Sequence, residues 1–161
     1  NLINQLEEGG KLIFIRHAYA PGSGDLSNFN LNDCSTQRNL SEEGRKQAQK
    51  IGEFFTNNNI KIKKVFSSEW CRCKETAEIA FKDYSTKNFL NSFYSFKYAK
   101  NKKKQIEELD NYVQQLKSSK NLVFITHYVL ISEVLNYAPS SGEIVVSDKN
   151  FNMIGSIEIN Y

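Results

Sequence analysis

Across 161 residues the sequence holds only two histidines, His17 and His127, and only four arginines, Arg16, Arg38, Arg45 and Arg72. Each histidine follows a short apolar run, Leu12-Ile13-Phe14-Ile15 before His17 and Leu122-Val123-Phe124-Ile125 before His127. Such runs, bounded by polar residues, read as buried strands. Ligands of open α/β sheets bind beyond the carboxyl ends of the strands. Two parallel strands that each release a histidine there would aim both imidazoles at one crevice. Arg16 stands beside the first histidine, and Arg72 falls in the first turn of a helix after a third apolar run at 62–67. Lysine carries most of the positive charge, so arginine is spent where a planar, bidentate grip on an oxyanion is needed. Two guanidiniums and two imidazoles at one sheet edge make an anion site that suits a tetrahedral phosphate. The competing reading is a pair of unrelated histidines, with Arg72 solvated and Arg16 in a strand-end ion pair.

The elements that must hold these residues follow from periodicity. A short helix over 2–8 ends at Gly9-Gly10, and strands are expected at 11–15, 62–67, 122–125, 143–146 and 154–159. Ser41 caps a helix opened by Glu42 and Glu43, with Ala48, Ile51, Phe54 and Phe55 on its apolar face. Further helices are expected from Ser68 or Glu69 to Phe81, from Lys104 to Leu116 and from Val129 to Asn136. Strands alternating with helices predict an α/β fold, a three-layer αβα arrangement around a mostly parallel sheet. Its length and the lack of any linker composition predict a single domain over 1–161. Residues 84–103 carry no readable pattern. The polar stretch Ala18–Asn39 is long enough to be a functional loop, and Ser23, Asp25, Ser35, Thr36 and Arg38 are its candidate pocket residues.

Hydrophobic residues make up 40% of the chain and charged residues 24%, so a disordered chain is excluded. No apolar run is long enough for a membrane-spanning helix. A net charge of +3 gives little counterion release, which argues against nucleic acid despite Lys100, Lys102, Lys103 and Lys104 near Tyr94, Phe96 and Tyr98. Three cysteines allow one disulfide, Cys34 to Cys71 or Cys73. Cys71 and Cys73 lie two apart on a helix and point away from each other, so a shared zinc ion is not expected. The chain opens at Asn1 rather than Met, and an exported or periplasmic location is favoured over a cytoplasmic one.

Four ordered motifs carry a family resemblance. Arg16-His17-Ala18 after an apolar strand resembles the Arg-His-Gly signature of the histidine phosphatase superfamily, the phosphoglycerate mutase-like fold. Leu40-Ser41-x-x-Gly44-x-x-Gln47-Ala48 is similar to its Leu-Thr-x-x-Gly-x-x-Gln-Ala segment, and Ser67-Ser68-x-x-x-Arg72-x-x-x-Thr76-Ala77 to its Ser-Ser-x-x-x-Arg-x-x-x-Thr-Ala segment. Ile125-Thr126-His127 is similar to the segment with its second histidine. The resemblance implies metal-free phosphoryl transfer with no cofactor. His17 would form a phosphohistidine, while Arg16, Arg72 and a protonated His127 would hold the phosphoryl oxygens. Arg38 and Ser23 would add substrate contacts.

The sequence departs from the family pattern at Ala18, at Tyr128-Val129, and in 84–98, where relatives carry an acidic glutamate and this chain has no carboxylate. Asp25 is the preferred replacement as general acid, with Asp33 behind it. The expected substrate is a phosphorylated small molecule or a phosphoprotein. The length favours a small phosphatase over a mutase. A phosphohistidine-specific protein phosphatase and a phosphate-binding domain without turnover are the alternatives. The sequence does not indicate an oligomeric state.

Overall fold

A computed structural model describes residues 1–161. Its strands are β1 (Leu12–Arg16), β2 (Ile62–Ser67), β3 (Ser85–Thr86), β4 (Asn121–Thr126), β5 (Ile144–Ser147) and β6 (Met153–Ile157). Its helices are α1 (Leu2–Glu8), α2 (Glu42–Asn57), α3 (Cys71–Phe81), α4 (Lys102–Gln115) and α5 (Tyr128–Leu135). One sheet runs in the order β3-β2-β4-β1-β5-β6. Its first four strands are parallel, and β5 and β6 add an antiparallel edge.

The apolar runs are buried on both faces because alternate side chains enter different cores. Ile13, Ile15, Val123 and Ile125 face one layer with Leu6, Ile51, Phe55 and Ala77. Leu12, Phe14, Leu122 and Phe124 face the other, with Leu109, Val113, Leu130 and Ile131. The helices therefore cover both faces of the sheet, as the αβα expectation requires. Phe124 stacks between Phe14 and Phe66, at 5.3 and 5.7 Å between ring centres. Truncating so large a buried ring costs about 3–5 kcal/mol.

Register places the two histidines. The parallel pairing sets Ile15 opposite Ile125 and Arg16 opposite Thr126, so β1 and β4 end level. His17 N–H then donates to the Thr126 carbonyl at 3.0 Å.

Several boundaries differ from the sequence reading. Helix α3 begins at Cys71 rather than at Ser68 or Glu69, because the side chains around it hold 68–70 out of the helix. Ser68 Oγ accepts from Trp70 N–H, and Asn91 Oδ1 accepts from Glu69 N–H. Helix α4 starts two residues early, at Lys102, and α5 starts at Tyr128, directly after His127. The last strand stops at Ile157, and β6 lies at the sheet edge. The stretch that showed no pattern holds the two-residue β3 and two short 3-10 turns, elements too brief to produce a period. In the 18–39 loop a 3-10 turn at Cys34–Thr36 is tied to the start of α3 by a Cys34–Cys71 disulfide.

Candidate active site

His17 leaves β1 with a ring whose tautomer is fixed. Its Nδ1 lies 2.9 Å from the Ala18 carbonyl, which can only accept, so Nδ1 carries the hydrogen. Nε2 is left with its lone pair, and Arg72 Nε donates to it at 3.1 Å. Burial, and then the nearby Arg72 guanidinium, holds the imidazole pKa well below its ordinary value. The ring is neutral, with a bare nitrogen facing a cation.

The motif residues brace this arrangement. Thr76 Oγ1 accepts from Ala18 N–H at 3.0 Å and donates to the Arg72 carbonyl at 2.8 Å, linking the turn after β1 to α3. Gln47 Oε1 accepts from Tyr19 N–H at 2.9 Å, while its Nε2 donates to the Ser141 and Ile159 carbonyls. Gly44 lets α2 approach so closely that a Cβ there would sit 2.0 Å from the Tyr19 carbonyl oxygen. Each motif thus positions the turn carrying His17.

His127 is buried 5.6 Å from His17, ring centre to ring centre. Its Nε2 lies 2.8 Å from Ser68 Oγ and 3.5 Å from Cys73 Sγ, and its Nδ1 has no partner. Burial, with Arg72 next, lowers its pKa well below the usual histidine value. Without an anion beside it, charging the ring would add a further cation near Arg72 and Arg16, so a protonated His127 requires a bound phosphate to offset them.

Arg16 donates through Nη1 to the Pro139 carbonyl at 3.0 Å and stacks over the Tyr128 ring at 5.4 Å, leaving Nε buried without a partner. Arg72 is almost fully buried and pairs with Asp25 Oδ1 at 3.4 Å. The same oxygen accepts from Trp70 Nε1–H at 3.1 Å. Arg38 bonds the Gly24 and Ala20 carbonyls and so folds the loop around its own side chain. Burial, then Arg72, pushes its pKa down to about 10.

These groups line one cavity of about 290 Å³, which takes in Arg16, His17, Ser23, Asp25, Arg38, Arg72 and His127. Among the site residues expected from sequence, Asp33 lies elsewhere. Its carboxylate caps the turn at 34–36, accepting from Ser35 N–H and Oγ–H at 3.0 and 2.7 Å. Ser35 and Thr36 are likewise spent on bonds within the loop and do not line the cavity. Sequence reasoning gave no role to Ser68 or Trp70, and read Tyr94 only as part of a basic, aromatic surface. Ser68 stood inside a recognised motif, whereas Tyr94 reaches the cavity through an irregular segment that has no signal of its own.

The sequence profile of the histidine phosphatase superfamily (branch 1) matches residues 12–89. The match spans just under half of the chain, from β1 to the short turn after β3. The phosphoglycerate mutase-like architecture accords with the observed six-stranded sheet. No curated protein sequence matches the chain. The protein histidine phosphatase SixA, solved with tungstate, is similar in fold at a TM-score of 0.61 and 13% identity, covering 93% of this chain and 96% of that one. TTHB049 from Thermus thermophilus aligns at a TM-score of 0.65 and 16% identity over 92% and 99% of the two chains. Rv3214 from Mycobacterium tuberculosis aligns at 0.64 and 13% over 93% and 96%.

Proposed function

We propose that this protein is a histidine phosphatase, hydrolysing phosphate monoesters through a phosphohistidine on His17. The observation that carries the assignment is the fixed Nδ1–H tautomer, which leaves Nε2 as a neutral nucleophile at the bottom of a cationic cavity. In the first step Nε2 bonds to phosphorus as the bond to the leaving oxygen breaks. The Nδ1–H bond to the Ala18 carbonyl stabilises the positive charge gained by the ring. Arg16, Arg72 and His127 hold the phosphoryl oxygens, and drawing Arg72 onto the phosphate frees the Nε2 lone pair. Water then attacks phosphorus, the N–P bond breaks, and phosphate leaves with His17 restored. Arg38 and Ser23 contact the substrate from the loop.

Asp25 is the candidate proton donor for the leaving group. Its Oδ1 already accepts from Trp70 and Arg72, which favours substrates whose leaving group needs little protonation. That observation supports the second reading, in which the substrate is an N-phosphorylated protein histidine. The Cys34–Cys71 bond supports an oxidising compartment.

Release of an aryl alcohol and phosphate from an aryl phosphate in chelator, compared between wild type and His17→Ala, tests the assignment. The wild type should turn over, and the variant should lose at least about 10⁴-fold. Equal rates would remove His17 from the mechanism.

A further inference from the structure

Two observations about His127 belong together: the unpartnered Nδ1 on one side of its ring and a hydroxyl on the other. Ser68 Oγ is fully buried and lies 2.8 Å from Nε2. A hydroxyl has one hydrogen to give, and two acceptors compete for it. The first, Asn91 Oδ1, is 3.3 Å away and already accepts the Glu69 N–H at 2.8 Å. Asn91 cannot turn its amide round to donate to Ser68, because its Nδ2 donates to Glu69 Oε1 at 2.8 Å. The second acceptor is His127 Nε2, nearer by half an ångström. Ser68 in turn accepts from Trp70 N–H at 3.1 Å, which aligns its oxygen toward donation. The Cys73 thiol approaches the same Nε2 at 3.5 Å, a second and weaker hydrogen that this nitrogen can accept.

We infer that Ser68 is a positioning residue that donates to His127 Nε2 and thereby fixes His127 as the neutral Nδ1–H tautomer, with that N–H kept for a phosphoryl oxygen. The inference rests on the proposed role of His127 in holding phosphate. A ring of this tautomer supplies a donor to the anion without itself becoming a cation. The opposite tautomer would turn a lone pair toward the phosphate and repel it. The second imidazole thereby does the work of an oxyanion-hole donor, set in place before the substrate arrives. Asn91 is the weaker competitor, its oxygen farther away and already accepting the Glu69 N–H, so the Ser68 hydrogen goes to the imidazole.

With only two imidazoles in the chain, the tautomers are directly readable by two-bond ¹H–¹⁵N correlation on histidine-labelled protein near neutral pH. Wild type should show both rings neutral with hydrogen on Nδ1. In Ser68→Ala the His127 signals should move to the Nε2–H form or to a mixture while those of His17 stay. The same variant should lose roughly tenfold to a few hundredfold in kcat on an aryl phosphate, with a smaller change in KM. It should also bind inorganic phosphate more weakly. Ser68→Thr, which keeps the hydroxyl, should restore both signals and rate, and Cys73→Ala should leave the tautomer in place. A wild-type His127 found as Nε2–H or as a cation would overturn the inference even if every variant misfolded. So would an unchanged tautomer in folded Ser68→Ala. If the wild-type tautomers are as stated but neither turnover nor phosphate binding occurs, the proposed function fails and the hydrogen-bond assignment stands.

Discussion

The cavity has a floor and a rim, and they are built differently. The floor, with His17, Arg72 and His127, is almost wholly buried at the ends of β1 and β4 and the start of α3. Its side chains are tied to neighbouring groups, save the unpartnered His127 Nδ1, and a slip of one strand register would dismantle it. The rim is formed by the 18–39 loop and the irregular segment around Ser92 and Tyr94. There Gly22 and Ser23 are exposed, Tyr94 lies near Gly24, and Arg38 spends its bonds on the loop itself. The difference teaches a division of labour. On the proposed mechanism, the bond-making chemistry falls to the buried floor, while choice of substrate and protonation of the leaving group fall to the rim.

Asp25 joins the two regions, since it sits on the loop yet pairs with Arg72. Asp25→Asn should cost about 10²–10⁴-fold on an alkyl phosphate and only a few-fold on an aryl phosphate with a good leaving group. Equal losses on both substrates would place Asp25 in the floor, as a support for Arg72, and not among the proton donors. The disulfide is the other junction. It closes a loop with a sequence separation of 37 residues. Cys34→Ser should therefore lower unfolding free energy by roughly 4 kcal/mol on the chain-entropy account. Its turnover per folded molecule should stay within a few-fold. A collapse of kcat at full folding would show that the rim's anchorage also sets the floor.

The smallest expected effect distinguishes the regions by pH. Both histidines have folded pKa values depressed below 6.5, chiefly by burial, so below that pH the unfolded chain binds protons that the folded chain refuses. Stability should be full above about 6.5 and fall on acidification by up to about 1.4 kcal/mol per pH unit for each histidine. Urea unfolding between pH 7.5 and 5 measures the slope, and His17→Asn should remove one of its two protons. A slope of zero in the wild type would contradict neutral, buried rings.

Legibility in the sequence follows the same division. The floor was readable because its residues sit at fixed offsets from elements with strong periodicity. Leu12–Ile15 and Leu122–Ile125 place the two histidines, and the Arg72-x-x-x-Thr76 spacing makes one helix turn that reaches both Ala18 and its own backbone. The fold was readable for the same reason, since alternate residues of those runs enter two cores. The rim was not, because loop side chains are placed by bonds that leave no period. Asp25 and Asp33 look alike in sequence, yet Trp70 and Arg72 draw one into the cavity while Ser35 holds the other on the surface. The partner of His127 had no such signal, because Ser68 reaches it through β2 and β4 lying side by side.

The central claim is that phosphorus bonds to Nε2 of His17. The most direct measurement is rapid quench of the enzyme with a ³²P-labelled aryl phosphate, followed by mapping of the label. The account predicts an acid-labile, base-stable phosphoryl group on the peptide containing His17, formed before phosphate release and absent in His17→Ala. Label on another residue, or steady turnover in the His17→Ala protein, would contradict it.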